Sequence, residues 1–282
     1  MIHSVYRSLE CRPDSYQGWY KQANALLDWR QYEDALFSYE KAIEYYPDDY
    51  WSWYQRGKAL EALRDYNEAI FSFQQALKIH PQDYWAWYSY GCVAQEGLQD
   101  YESAISCFQQ VLQLRPHDYW AWYRQGDCMR ELGQYTEALN CFNQALDIRP
   151  QDYWAEYRKG ETLQAVGELE SALGCYHSAL LSKPQDYWAW YQKGVVLQQL
   201  GRFQEAIDSY NEALAVDSED APAWYGKGQC YAVLGHEEGA MVALKHAISL
   251  YPQKYAQLAS DDSVFNSLRG DEDFIRLIQD CQ

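Results

Sequence analysis

The sequence has few basic residues and no long apolar run. Its 282 residues contain 23 Lys and Arg against 41 Asp and Glu, which gives a net charge of −18. An acidic surface repels phosphate backbones, so we expect no nucleic-acid partner. No apolar run approaches the length of a membrane span. Residues 1–7 lack the apolar core of a secretory signal, and we therefore expect a cytoplasmic protein.

Catalytic and metal-binding motifs are also missing. The six His residues show neither HExxH nor another metal-ligand spacing, and no CxxC pair occurs. No nucleophile is paired with a base in a recognisable pattern. We therefore expect a protein that is not an enzyme and that uses no metal and no cofactor.

Three of the eight cysteines, Cys107, Cys141 and Cys175, are 34 residues apart. Packed helices lie roughly 8–10 Å apart, whereas a disulfide needs Cα atoms closer than about 7 Å. This spacing predicts free thiols.

What the sequence does contain is an aromatic phrase that returns every 34 or 35 residues. The phrase is Asp-Tyr-Trp-x-Trp-Tyr, and in its fourth copy Glu156 replaces the second Trp. Its copies begin at Asp49, Asp83, Asp118, Asp152 and Asp186. A period of this length indicates a stacked array of small units.

Glycine and alanine keep the same period beyond the phrase. The glycine column contains Gly57, Gly91, Gly126, Gly160, Gly194 and Gly228, and an alanine column runs from Ala35 to Ala240. The period predicts seven units at residues 16–49, 50–83, 84–118, 119–152, 153–186, 187–220 and 221–254. The third unit has one extra residue, which predicts a longer turn near Gly97.

One unit, residues 119–152, shows the predicted local structure. Asp118 suits a helix N-cap, and Gly133 suits a C-terminal glycine. Trp122, Gly126 and Met129 follow at helical spacing, and a second apolar stripe begins at Tyr135. Each unit is therefore predicted to be two antiparallel helices. The aspartates could also form a cation-binding column, but their position before a helix favours N-capping.

The pattern resembles the tetratricopeptide repeat family, whose signature residues appear here as Trp53, Gly57, Tyr66, Ala69, Phe73 and Pro81. The resemblance covers residues 16–254 and implies an all-α fold. In this family the repeats form a right-handed superhelical solenoid, with the first helices lining a concave groove. Residues 1–15 would form an N-terminal cap and residues 255–282 C-terminal capping helices. The repeats also resemble those of cyanobacterial members, in which the partner would be a subunit under assembly.

The aromatic phrase is the candidate site. Along a helix the second and fifth residues of a unit lie within about 60° of each other, while the fourth points some 200° from the second. Trp53, Trp87, Trp122 and Trp190 are therefore predicted to be core. The predicted partner-binding residues are Trp51, Tyr54, Trp85, Tyr88, Trp120, Tyr123, Arg124, Trp154, Tyr157, Arg158, Trp188 and Tyr191. The alternative is that these rings only pack between repeats and stiffen the stack.

These observations favour a protein–protein interaction scaffold. Aromatic rings offer a large contact area at low entropy cost and bind cations. With a net charge of −18, a basic or Pro-rich peptide or helix of a partner protein is the expected ligand. Two alternatives remain: a self-assembling homo-oligomer, and a single-strand nucleic-acid binder, which the charge opposes.

Overall fold

The computed structural model describes residues 13–280, and within these residues it contains helices and no strand. This confirms the predicted all-α class. The chain divides into two compact units, of which the first ends at Ile148 and the second begins at Arg149. Residues 1–12 of the predicted N-terminal cap, and residues 281–282 of the predicted C-terminal cap, lie outside the described part.

The first unit contains four consecutive helix pairs. Its helices are α1 (Tyr16–Asp28), α2 (Tyr32–Tyr45), α3 (Tyr50–Ala62), α4 (Tyr66–Ile79), α5 (Tyr84–Cys92), α6 (Tyr101–Leu114), α7 (Tyr119–Glu131) and α8 (Tyr135–Ile148). A π-helix, Val93–Leu98, continues α5. Within this unit, each of the helices α1 to α7 packs against the next one along the chain.

The second unit contains three helix pairs and a C-terminal segment. The pairs are formed by α9 (Tyr153–Ala165), α10 (Leu169–Ser182), α11 (Tyr187–Gln199), α12 (Phe203–Val216), α13 (Ala221–Val233) and α14 (Glu237–Leu250). The segment consists of α15 (Pro252–Asp261), a 3₁₀ helix (Ser263–Gly270) and α16 (Glu272–Gln279). Phe265, Leu268, Phe274 and Ile278 are buried in a cluster with Leu244 of α14 and other residues of this last pair.

The aspartate of each phrase is an N-cap, which confirms that hypothesis. Asp118 Oδ1 accepts from the Ala121 backbone N–H at 2.8 Å, which satisfies a donor that has no partner inside the helix. The carboxylates that cap a first helix in this way are Asp49, Asp83, Asp118, Asp152, Asp186 and Asp220.

The glycine column places two helices in close contact, as predicted. A Cβ built on Gly57 would lie 2.6 Å from the Phe73 ring of the paired helix, which is closer than carbon atoms can pack. Gly228 differs, because its nearest neighbour would be the Ala243 Cβ at 3.5 Å, an ordinary contact.

The extra residue of the third unit lies inside a helix, so the prediction of a longer turn near Gly97 was wrong. Residues 93–98 wind as a π-helix, which absorbs one additional residue. The turn that follows keeps its usual form: Gln99 is left-handed with φ 55°, as Arg64 is with φ 63° in the preceding pair. Gly97 lies inside the π-helix, against the Tyr66 ring.

The fourth-position tryptophans are only half-buried, so their prediction as core residues was wrong. The indole N–H of Trp122 donates to the Pro116 carbonyl at 2.9 Å, and Trp53 donates likewise to Pro47 at 2.7 Å. A hydrogen bond to a turn at the surface keeps one edge of the indole near solvent. Small residues such as Ala121 are fully buried on these helices instead.

Candidate functional site

Three rings of each phrase form one rigid cluster at the start of the first helix. In α5 the Tyr84 and Tyr88 rings stack with centroids 5.9 Å apart and planes 21° apart. Trp85 meets Tyr84 edge-on, with centroids 4.9 Å apart and planes at 79°. The same two contacts recur in the clusters that begin at Tyr50, Tyr119, Tyr153 and Tyr187.

The first tyrosine of a cluster also ties one repeat to the next. The Tyr84 hydroxyl donates to Asp118 Oδ2 at 2.9 Å, and the Tyr153 hydroxyl donates to Asp186 Oδ1 at 2.6 Å. Burial, and then the neighbouring carboxylate, raise the pKa of Tyr84 well above its ordinary value. Neutral phenols therefore hold consecutive first helices together across the pH range of a living cell.

The fifth-position tyrosines pack inside the repeats. Tyr54 lies 5.8 Å from Phe73, and Tyr88 lies at the same distance from Phe108. Tyr157 is buried, with 7% of its surface exposed, against Tyr176. Tyr123 and Tyr191 are half-buried in the same manner against rings of the second helices.

The second-position tryptophans are the exposed part of each cluster. The exposed fractions are 52% for Trp51, 53% for Trp85, 42% for Trp120, 47% for Trp154 and 60% for Trp188. We call these five side chains the aromatic face; Trp51, Trp85 and Trp120 belong to the first unit, and Trp154 and Trp188 to the second. Each indole is exposed yet fixed in orientation by the tyrosine beside it.

The two arginines predicted to bind a partner are engaged within the protein. Arg124 pairs with Glu96 at 2.6 Å, and it also contacts the Tyr88 hydroxyl and Gln95. Arg158 pairs with Glu161 at 2.7 Å. Lys58–Glu61 and Arg130–Asp127 are further pairs on the first helices. These four cations of the first unit and of α9 are thus paired with carboxylates.

A second set of cations was missed by the sequence analysis. The Arg115 guanidinium lies 3.8 Å from the Tyr84 ring centroid, and the Lys183 ammonium lies 4.0 Å from that of Tyr153 and 4.5 Å from that of Trp154. Both residues directly precede the proline that closes their unit. Their common position before that proline was the available signal.

Residues 13–280 contain neither a candidate metal site nor a candidate membrane span. No cluster of three or more His, Cys, Asp or Glu side chains there could hold a metal ion. Within the same residues, no helix has both the length and the apolar character needed to cross a membrane.

Models of the tetratricopeptide repeat match the chain at residues 50–83, 82–151, 129–193, 187–220 and 221–254. Together these matches run without a gap from residue 50 to residue 254. A model of the protein prenyltransferase alpha subunit repeat matches residues 32–63. A sequence search of curated proteins finds no match.

Several solved structures have a similar fold. YrrB, described as a tetratricopeptide repeat protein with an unusual peptide-binding site, is 24% identical over 67% of this chain and 98% of its own, with a TM-score of 0.59. A tetratricopeptide repeat protein from Parabacteroides merdae is 17% identical over 88% and 98%, with a TM-score of 0.64. PilW, described as a widely conserved type IV pilus biogenesis factor, is 20% identical over 75% and 98%, with a TM-score of 0.60.

Proposed function

Because this chain belongs to the tetratricopeptide repeat family, we propose that it is a non-catalytic protein-interaction scaffold. Its ligand would be an extended, Pro-rich segment of a partner protein, bound on the exposed tryptophans within one unit. The observation that carries this proposal is that the tryptophan at one position of five consecutive repeats, three in the first unit and two in the second, is 42–60% exposed. Exposed apolar surface of this extent usually marks a site of interaction.

The exposed indoles are preorganised for binding. Each is held edge-on by its neighbouring tyrosine, so little side-chain freedom remains to be lost when a ligand binds. A tryptophan that served only to stiffen the array would contribute more stability if the next repeat covered it. Contacts between repeats are already made by first-position tyrosines, as Tyr84 shows through Asp118 and Tyr153 through Asp186.

The charges around the rings favour a Pro-rich ligand over a basic one. Arg124 and Arg158 are paired with Glu96 and Glu161, so the carboxylates of this face are occupied. Lys183 already lies against Trp154 at 4.5 Å and would compete with a ligand cation for that indole. Proline rings pack on indole faces without needing a free carboxylate.

The periodic placement of the tryptophans also suits such a segment. Consecutive first helices meet through their side chains, as the Tyr54 hydroxyl and Ser89 show at 3.3 Å. A polyproline II helix rises about 3.1 Å per residue and returns every third side chain to one side, a repeat of about 9 Å. A Pro-rich segment would therefore present prolines on one side to the exposed tryptophans of a unit.

The comparisons support this proposal only through the fold. YrrB is described as having a peptide-binding site, and PilW as a biogenesis factor. We extend to this chain the binding of a peptide and, as a finer proposal, a role in assembling a complex in the cytoplasm.

A titration with a nonaproline peptide tests the proposal. We expect saturable binding by the intact chain, monitored by calorimetry, and a loss of at least about tenfold in affinity for Trp85→Ala and for Trp120→Ala. Trp29→Ala is the matched control, because it removes another exposed tryptophan, 72% exposed, outside the aromatic face.

Unchanged affinity in both variants would contradict the proposal. If the intact protein instead self-associates, and Trp120→Ala dissociates it in sedimentation experiments, the aromatic face is an interface between copies. Binding of single-stranded RNA that weakens with salt would favour the nucleic-acid alternative.

A further inference from the structure

Arg56 lies on α3, and its guanidinium finds its hydrogen-bond and ion-pair partners within the protein. It lies six residues after the helix start, over the Trp53 ring at 5.8 Å. Its guanidinium donates to Ser72 at 2.6 Å, to Glu68 at 3.0 Å and to Glu40 at 3.2 Å. The carboxylates for this cation thus come from α2 and α4, each of which is the second helix of its pair.

Lys227 occupies the equivalent position on α13, where those three partners are missing. It too lies over the fourth-position indole, with its ammonium 4.7 Å from the Trp224 ring. The positions that correspond to Glu40, Glu68 and Ser72 are held here by Asn211, Gly239 and Ala243. None of the ion pairs or hydrogen bonds found among residues 13–280 includes Lys227.

A pocket lies beside this lysine, and two of the three replaced positions line it. Its volume is about 750 Å³, and Gly239 and Ala243 line it together with Lys227 and Trp224. Tyr231 forms an aromatic wall, with its ring centroid 5.9 Å from the ammonium. Burial against these rings lowers the pKa of Lys227, which is the response of an ammonium that has lost water and gained no anion.

We propose that this pocket binds a carboxylate side chain of a partner protein, an Asp or Glu flanked by apolar residues. The carboxylate would pair with Lys227 in the place that Glu68 and Glu40 take beside Arg56. The apolar neighbours would pack on Tyr231 and on Val242, which is 50% exposed. Two observations favour this ligand: a carboxylate complements the charge of Lys227, and Arg56 at the equivalent position is itself paired with carboxylates.

The rim of the pocket restricts the ligand to a single negative charge. Glu237 and Glu238 also line it, and neither forms an ion pair with Lys227 in the described structure. Two carboxylates at the rim would repel a nucleic acid or another polyanion, whereas one carboxylate between apolar groups avoids them.

This pocket is separate from the aromatic face. The tryptophans of the aromatic face occupy the second position of their helices. Lys227 lies five residues after the second position of α13, so it points about 140° away from that position around the helix. The proposal therefore does not rest on the Pro-rich ligand, and the two sites can be tested independently.

The test uses the full chain and two tripeptides, acetyl-Leu-Glu-Leu-amide and its Gln counterpart. Binding is followed by NMR at the Trp224 indole N–H and the Gly235 amide, which belong to two residues that line the pocket. We expect saturable shifts with the Glu peptide and at least about tenfold weaker binding of the Gln peptide. Lys227→Met, which keeps an apolar stem over the indole, should remove the shifts.

A second variant leaves Lys227 in place. Asn211→Glu introduces a carboxylate at the exposed position that corresponds to Glu40. This carboxylate should pair with Lys227 and thereby block binding of the peptide. Lys245→Met, on the exposed side of α14, is the control for a lost positive charge and should bind normally.

Equal binding of the two peptides, or retained binding in Lys227→Met, would overturn the proposal. So would the absence of saturable shifts up to about 10 mM peptide. Tighter binding of heparin at the same signals would identify a polyanion site and would also overturn it.

Discussion

The hydroxyl of Tyr84 donates a 2.9 Å hydrogen bond to Oδ2 of Asp118, the residue 34 positions further along the chain. The other oxygen of the same carboxylate caps α7 by accepting from Ala121 at 2.8 Å. One aspartate thus starts its own helix and anchors the preceding repeat. Asp186 has the same two uses, because it accepts from the Tyr153 hydroxyl at 2.6 Å and caps α11 by accepting from Ala189 at 2.9 Å.

Removing either partner of this hydrogen bond should destabilise the first unit, and the two substitutions should differ in cost. Tyr84→Phe loses one hydrogen bond to a carboxylate, and we expect a cost of about 1–2 kcal/mol. Asp118→Ala also loses the N-cap and should cost about 1 kcal/mol more. Urea denaturation followed by circular dichroism measures both changes.

The double variant distinguishes a shared bond from two separate effects. If the hydrogen bond joins the two side chains, the double variant should cost less than the sum of the single changes. Tyr251→Phe, on a ring that is 57% exposed, is the control and should change stability by less than about 0.5 kcal/mol. Strict additivity would show that the bond contributes nothing.

The glycine column provides a matched pair of substitutions. Gly57→Ala places a methyl group 2.6 Å from the buried Phe73 ring and should destabilise by about 1–3 kcal/mol. Gly228→Ala meets only an ordinary contact at 3.5 Å, and the higher helix propensity of Ala should make it neutral or stabilising by up to about 1 kcal/mol. Equal melting temperatures for the two variants would contradict this account.

The sequence was sufficient to predict those features that repeat. A period of 34 or 35 residues, with small residues at fixed points, predicted helix pairs, and the rings that face Gly57 and Gly126 show why the column exists. The N-caps followed from Asp before each apolar stripe. The division into seven repeats with terminal caps stays a prediction, as does the partner-binding role of the aromatic residues.

Features that depend on three-dimensional contacts were not predictable. Trp122 has the spacing of a core residue, but its indole N–H needs an acceptor and finds the Pro116 carbonyl at the surface. The extra residue near Gly97 had two possible places, the turn or the helix, which sequence spacing cannot separate. The position of Arg115 over Tyr84 depends on how the end of α6 approaches α5.

The buried thiols predict a loss of stability at alkaline pH. Burial raises the pKa of Cys107, Cys141 and Cys230 to about 12, from an ordinary value of 9.0. A folded-state pKa above the unfolded one stabilises the protein below the unfolded pKa, and that stability is lost as the pH rises through the folded pKa. We expect the melting temperature to fall progressively between about pH 9 and pH 12.

Thiol titration checks the same burial directly. In a Cys11→Ser/Cys281→Ser variant, only the six cysteines that the structure describes as free remain. Five of them are buried and Cys92 is half-buried. We expect the five buried thiols to react with a disulfide reagent at pH 8 only after denaturation, because the reactive thiolate is nearly absent while they are buried. Rapid reaction in the folded protein would contradict the burial.

Trp120 and Trp122, two residues apart on α7, should separate binding from stability. Trp120 is 42% exposed and meets Tyr119 edge-on at 5.0 Å and Tyr123 edge-on at 6.0 Å, so Trp120→Ala should cost only about 1–2 kcal/mol, the worth of two aromatic pairs. Trp122→Ala removes a half-buried ring and its hydrogen bond to Pro116, and should cost about 2–3 kcal/mol. Urea denaturation gives both costs, and calorimetry with nonaproline, at a temperature where both variants are folded, gives the affinities. The weaker binder should be Trp120→Ala, although it is the more stable of the two. If Trp122→Ala loses as much affinity as Trp120→Ala while remaining folded, peptide binding does not depend on the exposed indoles, and the aromatic face is not the binding site.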